Sequence, residues 1–106
     1  MSAIDVWSLE SREIMPGFHA RIVHTEHTTH LYWDIEEGAS VPAHNHHHEQ
    51  VVNVLEGTFE LVVDGTPHEL NAGDVFVVQS HAMHSGTAKT ACKILDVFTP
   101  VREDYR

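Results

Sequence analysis

The sequence predicts an all-β protein, a single small antiparallel barrel or jelly roll. Three observations carry this. Short β-forming runs follow one another with turn clusters between them, no segment shows a helical period, and Asp64-Gly65 stands between two β-forming runs. Asp-Gly in that setting is a strong hairpin signal, because both central residues of a type I′ turn need positive φ. Many closely spaced short strands are what small barrels and sandwiches show in sequence. A chain of 106 residues can bury one core, so 1–106 reads as one domain without an internal boundary or repeat.

Residues 1–17 carry Trp7, Leu9, Ile14 and Met15 before Pro16-Gly17 and read as an irregular arm or short edge strand. Phe18 to His27 alternates in part and predicts a strand. Thr28 to Glu36 predicts another, with Leu31, Trp33 and Ile35 on one face and His30, Tyr32 and Asp34 on the other. Glu37-Gly38-Ala39-Ser40 is a turn, and Pro42 marks an edge strand or strand start. Gln50 to Leu55 and Thr58 to Val63 predict strands joined at Glu56-Gly57 by a two-residue hairpin connection. Thr66 to Leu70 follows the Asp64-Gly65 turn, and Asn71-Ala72-Gly73-Asp74 turns again. Val75 to Val78 is apolar without alternation, as expected of a strand buried on both sides. Gln79 to Gly86 reads as a loop, Thr87 to Phe98 as the strand that closes the sheet, and residues 101–106 as a polar tail.

Composition excludes several function classes. A net charge of −10 with neutral histidines disfavours phosphate backbones, so no nucleic-acid partner is expected. An anionic small molecule would need local positive charge to enter, such as a bound cation. No apolar run is long enough for a membrane helix. The first residues lack the basic and apolar regions of a secretory signal, so a cytoplasmic location is expected. The single cysteine, Cys92, rules out an internal disulfide and a CxxC metal pattern, and it reads as a small buried hydrophobe.

The chemistry concentrates in His44-Asn45-His46-His47-His48-Glu49-Gln50. On an extended strand His44 and His46 share a face, Gln50 can rejoin it, and His47 and Glu49 take the other. His48 has the right parity but ranks below both. Neutral imidazoles suit zinc, nickel, copper or iron. A further ligand must come from elsewhere, since one strand cannot surround an ion. The internal position and the run into an apolar strand argue against an expression tag. A solvated histidine-rich turn is the alternative that spacing leaves open.

With its flanking glycines this stretch resembles the first motif of the cupin superfamily, G-x5-H-x-H-x3,4-E-x6-G. It spans residues 38–57 as Gly38, His44, His46, Gln50 and Gly57, with glutamine at the glutamate position. Residues 73–84 resemble the second motif, G-x5-P-x-G-x2-H, with Gly73 and His84 in place. Gln79 and His81 stand where that motif has proline and glycine. The resemblance implies a jelly-roll barrel with metal ligands at His44, His46, Gln50 and His84. Three imidazoles and an amide oxygen add no negative charge, so a divalent cation (nickel, zinc, iron or manganese) keeps its full Lewis acidity.

On the closing strand an outward Lys93 turns Cys92, Ile94, Asp96 and Phe98 inward. A buried acid beside aromatics and a metal is either structurally paired, here with Arg102, or catalytic. The ending Leu95-Asp96-Val97-Phe98-Thr99-Pro100-Val101-Arg102-Glu103-Asp104-Tyr105 is similar to that of the KdgF family of pectin and alginate breakdown. That family linearises 4,5-unsaturated uronates to keto-sugar acids. The resemblance implies that Asp96, Phe98 and Arg102 line the site, that the substrate is an anionic sugar, and that the chain is a homodimer. Asn53 stands where such cupins often have tyrosine, which puts the pocket wall in question. The rivals are an iron-dependent dioxygenase and a non-catalytic sugar-binding cupin. His19, His24, His27, His30 and His68 read as surface or strand-pairing residues, and His47 and His81 could border the pocket mouth. Trp7 and Trp33 read as core or dimer contacts.

Overall fold

A computed structural model describes residues 2–106. Ten strands follow in order: β1 (Arg12–Met15), β2 (Phe18–His24), β3 (Thr29–Ile35), β4 (Ser40–His44), β5 (Glu49–Glu56), β6 (Thr58–Val63), β7 (Thr66–Asn71), β8 (Val75–Val78), β9 (His84–Ala88) and β10 (Cys92–Thr99). They form a six-stranded sheet ordered β1-β2-β3-β10-β5-β8 and a four-stranded sheet ordered β4-β9-β6-β7. All strand pairs are antiparallel, so the all-β jelly roll stands. Among the described residues the only helices are single 3-10 turns, Val6–Ser8 and Glu103–Tyr105. Among the described residues no helix is long and apolar enough to cross a membrane.

Alternation does the work in the six-stranded sheet. Leu31, Trp33 and Ile35 of β3 point into the core, as do Ile94, Asp96 and Phe98 of β10, while their neighbours are half-buried. The core lies between the sheets, where Phe59 and Leu61 of β6 meet Val52 and Val54 of β5. Asp64 and Gly65 have φ of 47° and 81°, and Val63 pairs with Thr66 across them, so the type I′ hairpin is present. Pro42 lies on β4, an edge strand, where its missing N–H costs no ladder bond.

Four expectations are corrected. β5 and β6 are not a hairpin: the chain passes from one sheet to the other at Gly57. Thr87 to Phe98 is two strands in different sheets, broken at residues 89–91. A glycine or polar break interrupts alternation equally at a hairpin and at a corner between sheets, so the pattern does not separate them. β8 is not buried on both sides. It pairs only with β5 at the edge of its sheet, and Val75 and Val77 are 58% and 45% exposed. The tail is not simply polar, because Val101 is buried and Arg102 and Tyr105 fold back over the cavity described below.

The corner at Gly57 is sterically tight. Its φ is +87°, and a Cβ there would lie 2.3 Å from the carbonyl oxygen of Ala91. Gly57→Ala is therefore expected to lose roughly 2 to 4 kcal/mol of stability from backbone strain plus overlap. Denaturant unfolding of the variant against Gly38→Ala checks this. Gly38 also has positive φ, but its Cβ would meet nothing within 4 Å, so it should cost less.

Candidate metal centre

The histidine stretch is not one continuous strand. His44 ends β4 in the four-stranded sheet, residues 45–48 cross the gap, and Gln50 is the second residue of β5 in the other sheet. The shared-face argument from parity is thus replaced by a crossing that brings both sheets to one point. His84 begins β9 rather than lying in a loop, and it is the direct cross-strand partner of His44. The His44 and His84 rings are 4.2 Å apart, and His46 lies 5.8 Å and 5.0 Å from them. His46 is held in the crossing by its own carbonyl, which accepts from the N–H of His81 at 2.8 Å.

All three rings are oriented the same way. His44 Nδ1 meets the Pro42 carbonyl at 2.9 Å, His46 Nδ1 the His48 carbonyl at 3.0 Å, and His84 Nδ1 the Ala82 carbonyl at 2.9 Å. A carbonyl only accepts, so each Nδ1 carries the proton and each Nε2 keeps its lone pair. The Nε2 atoms of His46 and His84 are buried without a partner. One ligand nitrogen from each of the three histidines lies within 4.8 Å of the others, so the triad could hold a metal ion. Metal-binding histidines are commonly oriented in this way, with one ring nitrogen anchored to a carbonyl and the other free. Burial drops the basicity of His46 to about 4, helped by the charge of Arg102, and burial likewise lowers His84. Both are therefore neutral and available as ligands at physiological pH.

Gln50 is buried, lines the same cavity and pairs across strands with Phe98. The cavity, of about 290 Å³, runs into the barrel and is bordered also by Asp96, Phe98 and Arg102. The Cupin domain family matches residues 31–98, which include the triad and most of both sheets. The chain belongs to the cupin family. This cupin is 31% identical over 71 residues to the pectin degradation protein KdgF of Dickeya dadantii (strain 3937), a match covering 65% of this chain and 64% of that protein. The match therefore spans somewhat under two thirds of that relative. The solved structure of KdgF from Halomonas sp. superposes with a TM-score of 0.89 at 29% identity, over 97% of this chain and 96% of that one. An RmlC-like cupin from Shewanella frigidimarina does so with the same TM-score at 32% identity, over 94% and 91%.

Asp96 of this cupin is buried, with Oδ2 accepting from the indole N–H of Trp33 at 2.9 Å and Oδ1 without a partner. Burial pushes its carboxyl up to about 6, against the pull of the Gln50 amide, the Trp33 indole and the Arg102 charge. The alternative Asp96–Arg102 ion pair is not formed. Arg102 instead makes a two-pronged contact with Asp104, Nε to Oδ1 at 3.0 Å and Nη2 to Oδ2 at 2.8 Å. Its guanidinium stacks between the rings of Phe98 and Tyr105, 4.7 Å and 4.6 Å from their centres. Asn53 does not touch the cavity: it faces outward and donates to the Leu95 carbonyl at 3.1 Å, so the doubt it raised about the pocket wall falls away.

Histidines outside the triad divide as their burial dictates. His47 and His81 are exposed, and His48 is buried with its Nε2 on the Val101 carbonyl. His19 pairs with Glu36 at the surface. Trp33 is in the core, whereas Trp7 is 40% exposed and lies edge-on to Tyr32. Trp33, Asp104 and Tyr105 are the residues of the site that sequence reading missed. Asp104 and Tyr105 lie two and three residues after Arg102, and that proximity was the available signal. Nothing in the alternation separates Trp33 from an ordinary core residue.

Proposed function

We propose that this cupin is a metal-dependent enzyme that opens the ring of 4,5-unsaturated uronates to give linear keto-sugar acids. The observation that carries the reading is the convergence of three free histidine nitrogens on a cavity that also presents one buried acid and one arginine. His44, His46 and His84, with the Gln50 amide oxygen, would hold the cation. When bound, the cation supplies Lewis acidity that polarises oxygens of the sugar. The similarity to KdgF proteins of pectin degradation supports a sugar-acid substrate.

The chain's own residues supply the rest. Arg102 orients the substrate carboxylate through the edge of its guanidinium not engaged by Asp104. Phe98 forms an apolar wall against the ring. In the reaction the bond from C1 to the ring oxygen breaks and the C1 hydroxyl proton passes to that oxygen, leaving an aldehyde at C1 and an enol at C5. Asp96 delivers a proton to C4 and recovers one from the enol oxygen, so the net change is an isomerisation. A carboxyl with a pKa of about 6 serves both as donor and as acceptor near neutrality.

Turnover of 4,5-unsaturated galacturonate, followed by loss of the alkene absorbance, tests the reading, and absence of turnover by metal-loaded protein would refute it. Three neutral imidazoles also form the donor set of an iron dioxygenase. Oxygen consumption with a candidate substrate would favour that reading instead. Arg102→Lys is expected to raise KM roughly tenfold while changing kcat little, because lysine keeps the charge but loses the planar fork and the stacking. Steady-state kinetics check this split.

A further inference from the structure

Within the cavity the two oxygens of Asp96 are not equivalent. Oδ2 accepts from Trp33 Nε1 at 2.9 Å, a contact between buried side chains 63 residues apart in sequence. Oδ1 is buried without a hydrogen-bond partner, and the Gln50 amide is the other polar group that acts on this carboxyl. The contact is fixed by strand register. Trp33 stands opposite Ile94 and Asp96 opposite Leu31 across the β3–β10 pair, so the two side chains are inward diagonal neighbours. The indole is immobilised in turn by Phe18, edge-on at 5.7 Å, and is only 5% exposed. Both Trp33 and Asp96 border the cavity.

An indole N–H only donates, so it engages whichever oxygen carries no proton. This contact restrains the carboxyl and makes its two oxygens inequivalent. We propose that Trp33 is a positioning residue that pins Oδ2 of Asp96 and leaves Oδ1 as the oxygen that exchanges the proton with substrate. The inference rests on the ring-opening reading above and extends it to an atom and to a facial selectivity. The Oδ1–H bond breaks as the C4–H bond forms. The resulting carboxylate keeps its Trp33 contact, and Oδ1 is reprotonated from the enol oxygen. With Oδ1 fixed on one side of the substrate, C4 receives its proton on one face only.

The test is the reaction run in deuterium oxide, with the C4 methylene of the product read by proton NMR at early turnover. Wild type should place deuterium on one face. Trp33→Phe keeps a ring but removes the donor. It should lower kcat roughly 10- to 100-fold with KM within about twofold, and give both C4 epimers. Replacing Trp33 by benzothienylalanine, which exchanges N–H for sulfur in the same shape, gives the same readout if the phenylalanine variant does not fold. A variant that keeps wild-type kcat and single-face labelling overturns the role of Trp33 while leaving Asp96 as the acid. Wild type that turns over but labels both faces equally overturns this inference and leaves the ring-opening reading standing; wild type that does not turn over overturns both.

Discussion

Replacing His84 with alanine is expected to abolish both metal binding and turnover, the largest effect of any single substitution in this protein. His84 is the cross-strand partner of His44, and its Nδ1 is tied to the Ala82 carbonyl, so its free Nε2 has one direction available. Removing it leaves two imidazoles and an amide, too few donors to retain a transition metal against water. Elemental analysis of tag-free protein should fall from about one ion per chain to background. His47→Ala is the control. His47 is exposed beside the same ligands and should change neither metal content nor activity. Full activity in metal-free His84→Ala protein would remove the metal from the chemistry.

Asp96→Asn is expected to cost roughly 10²- to 10⁴-fold in kcat, the usual range for losing a positioned proton donor. The same substitution should stabilise the fold at neutral pH. The buried Asp96 carboxyl is raised from 3.8 to about 6, so the folded state favours the protonated acid. That contribution is fully present below the unfolded value and is lost as pH rises through about 6. At neutral pH the charged form then costs the fold roughly 3 kcal/mol, which the neutral asparagine avoids. His46 and His84, whose basicity is lowered by burial, act in the opposite sense and favour the fold above the ordinary histidine range. The difference between wild type and Asp96→Asn, both metal-free, isolates the carboxyl. The variant should have the higher denaturation midpoint near neutrality, and the gap should close toward pH 4. A gap that is flat across this range would mean that Asp96 is charged in the fold, and would remove it as a proton donor.

The site was readable in sequence where residue type and spacing speak directly. His44, His46, Gln50 and His84 were the expected ligands, and all four border the cavity. The inward face of Ile94, Asp96 and Phe98 followed from one outward lysine, and that lysine does reach outward to Asp34. The departure at His81 has a visible backbone counterpart. His81 adopts φ +67°, the left-handed conformation that a glycine would supply there. What was not readable depended on which sheet a strand joins. Val75 to Val78 has the composition of a buried strand, yet lies at a sheet edge, because pairing partners are not encoded in one strand's alternation. Arg102 could have paired with either nearby acid. The choice of Asp104 depends on how the final 3-10 turn folds the chain back, which no local pattern states.

The most direct measurement is anomalous diffraction at the metal's absorption edge from crystals of tag-free, metal-loaded protein. One peak is predicted, bonded to Nε2 of His44, His46 and His84 and to the amide oxygen of Gln50. A peak only at the surface group Glu13, His19 and Glu36, or a Gln50 side chain turned away from the ion, would contradict it.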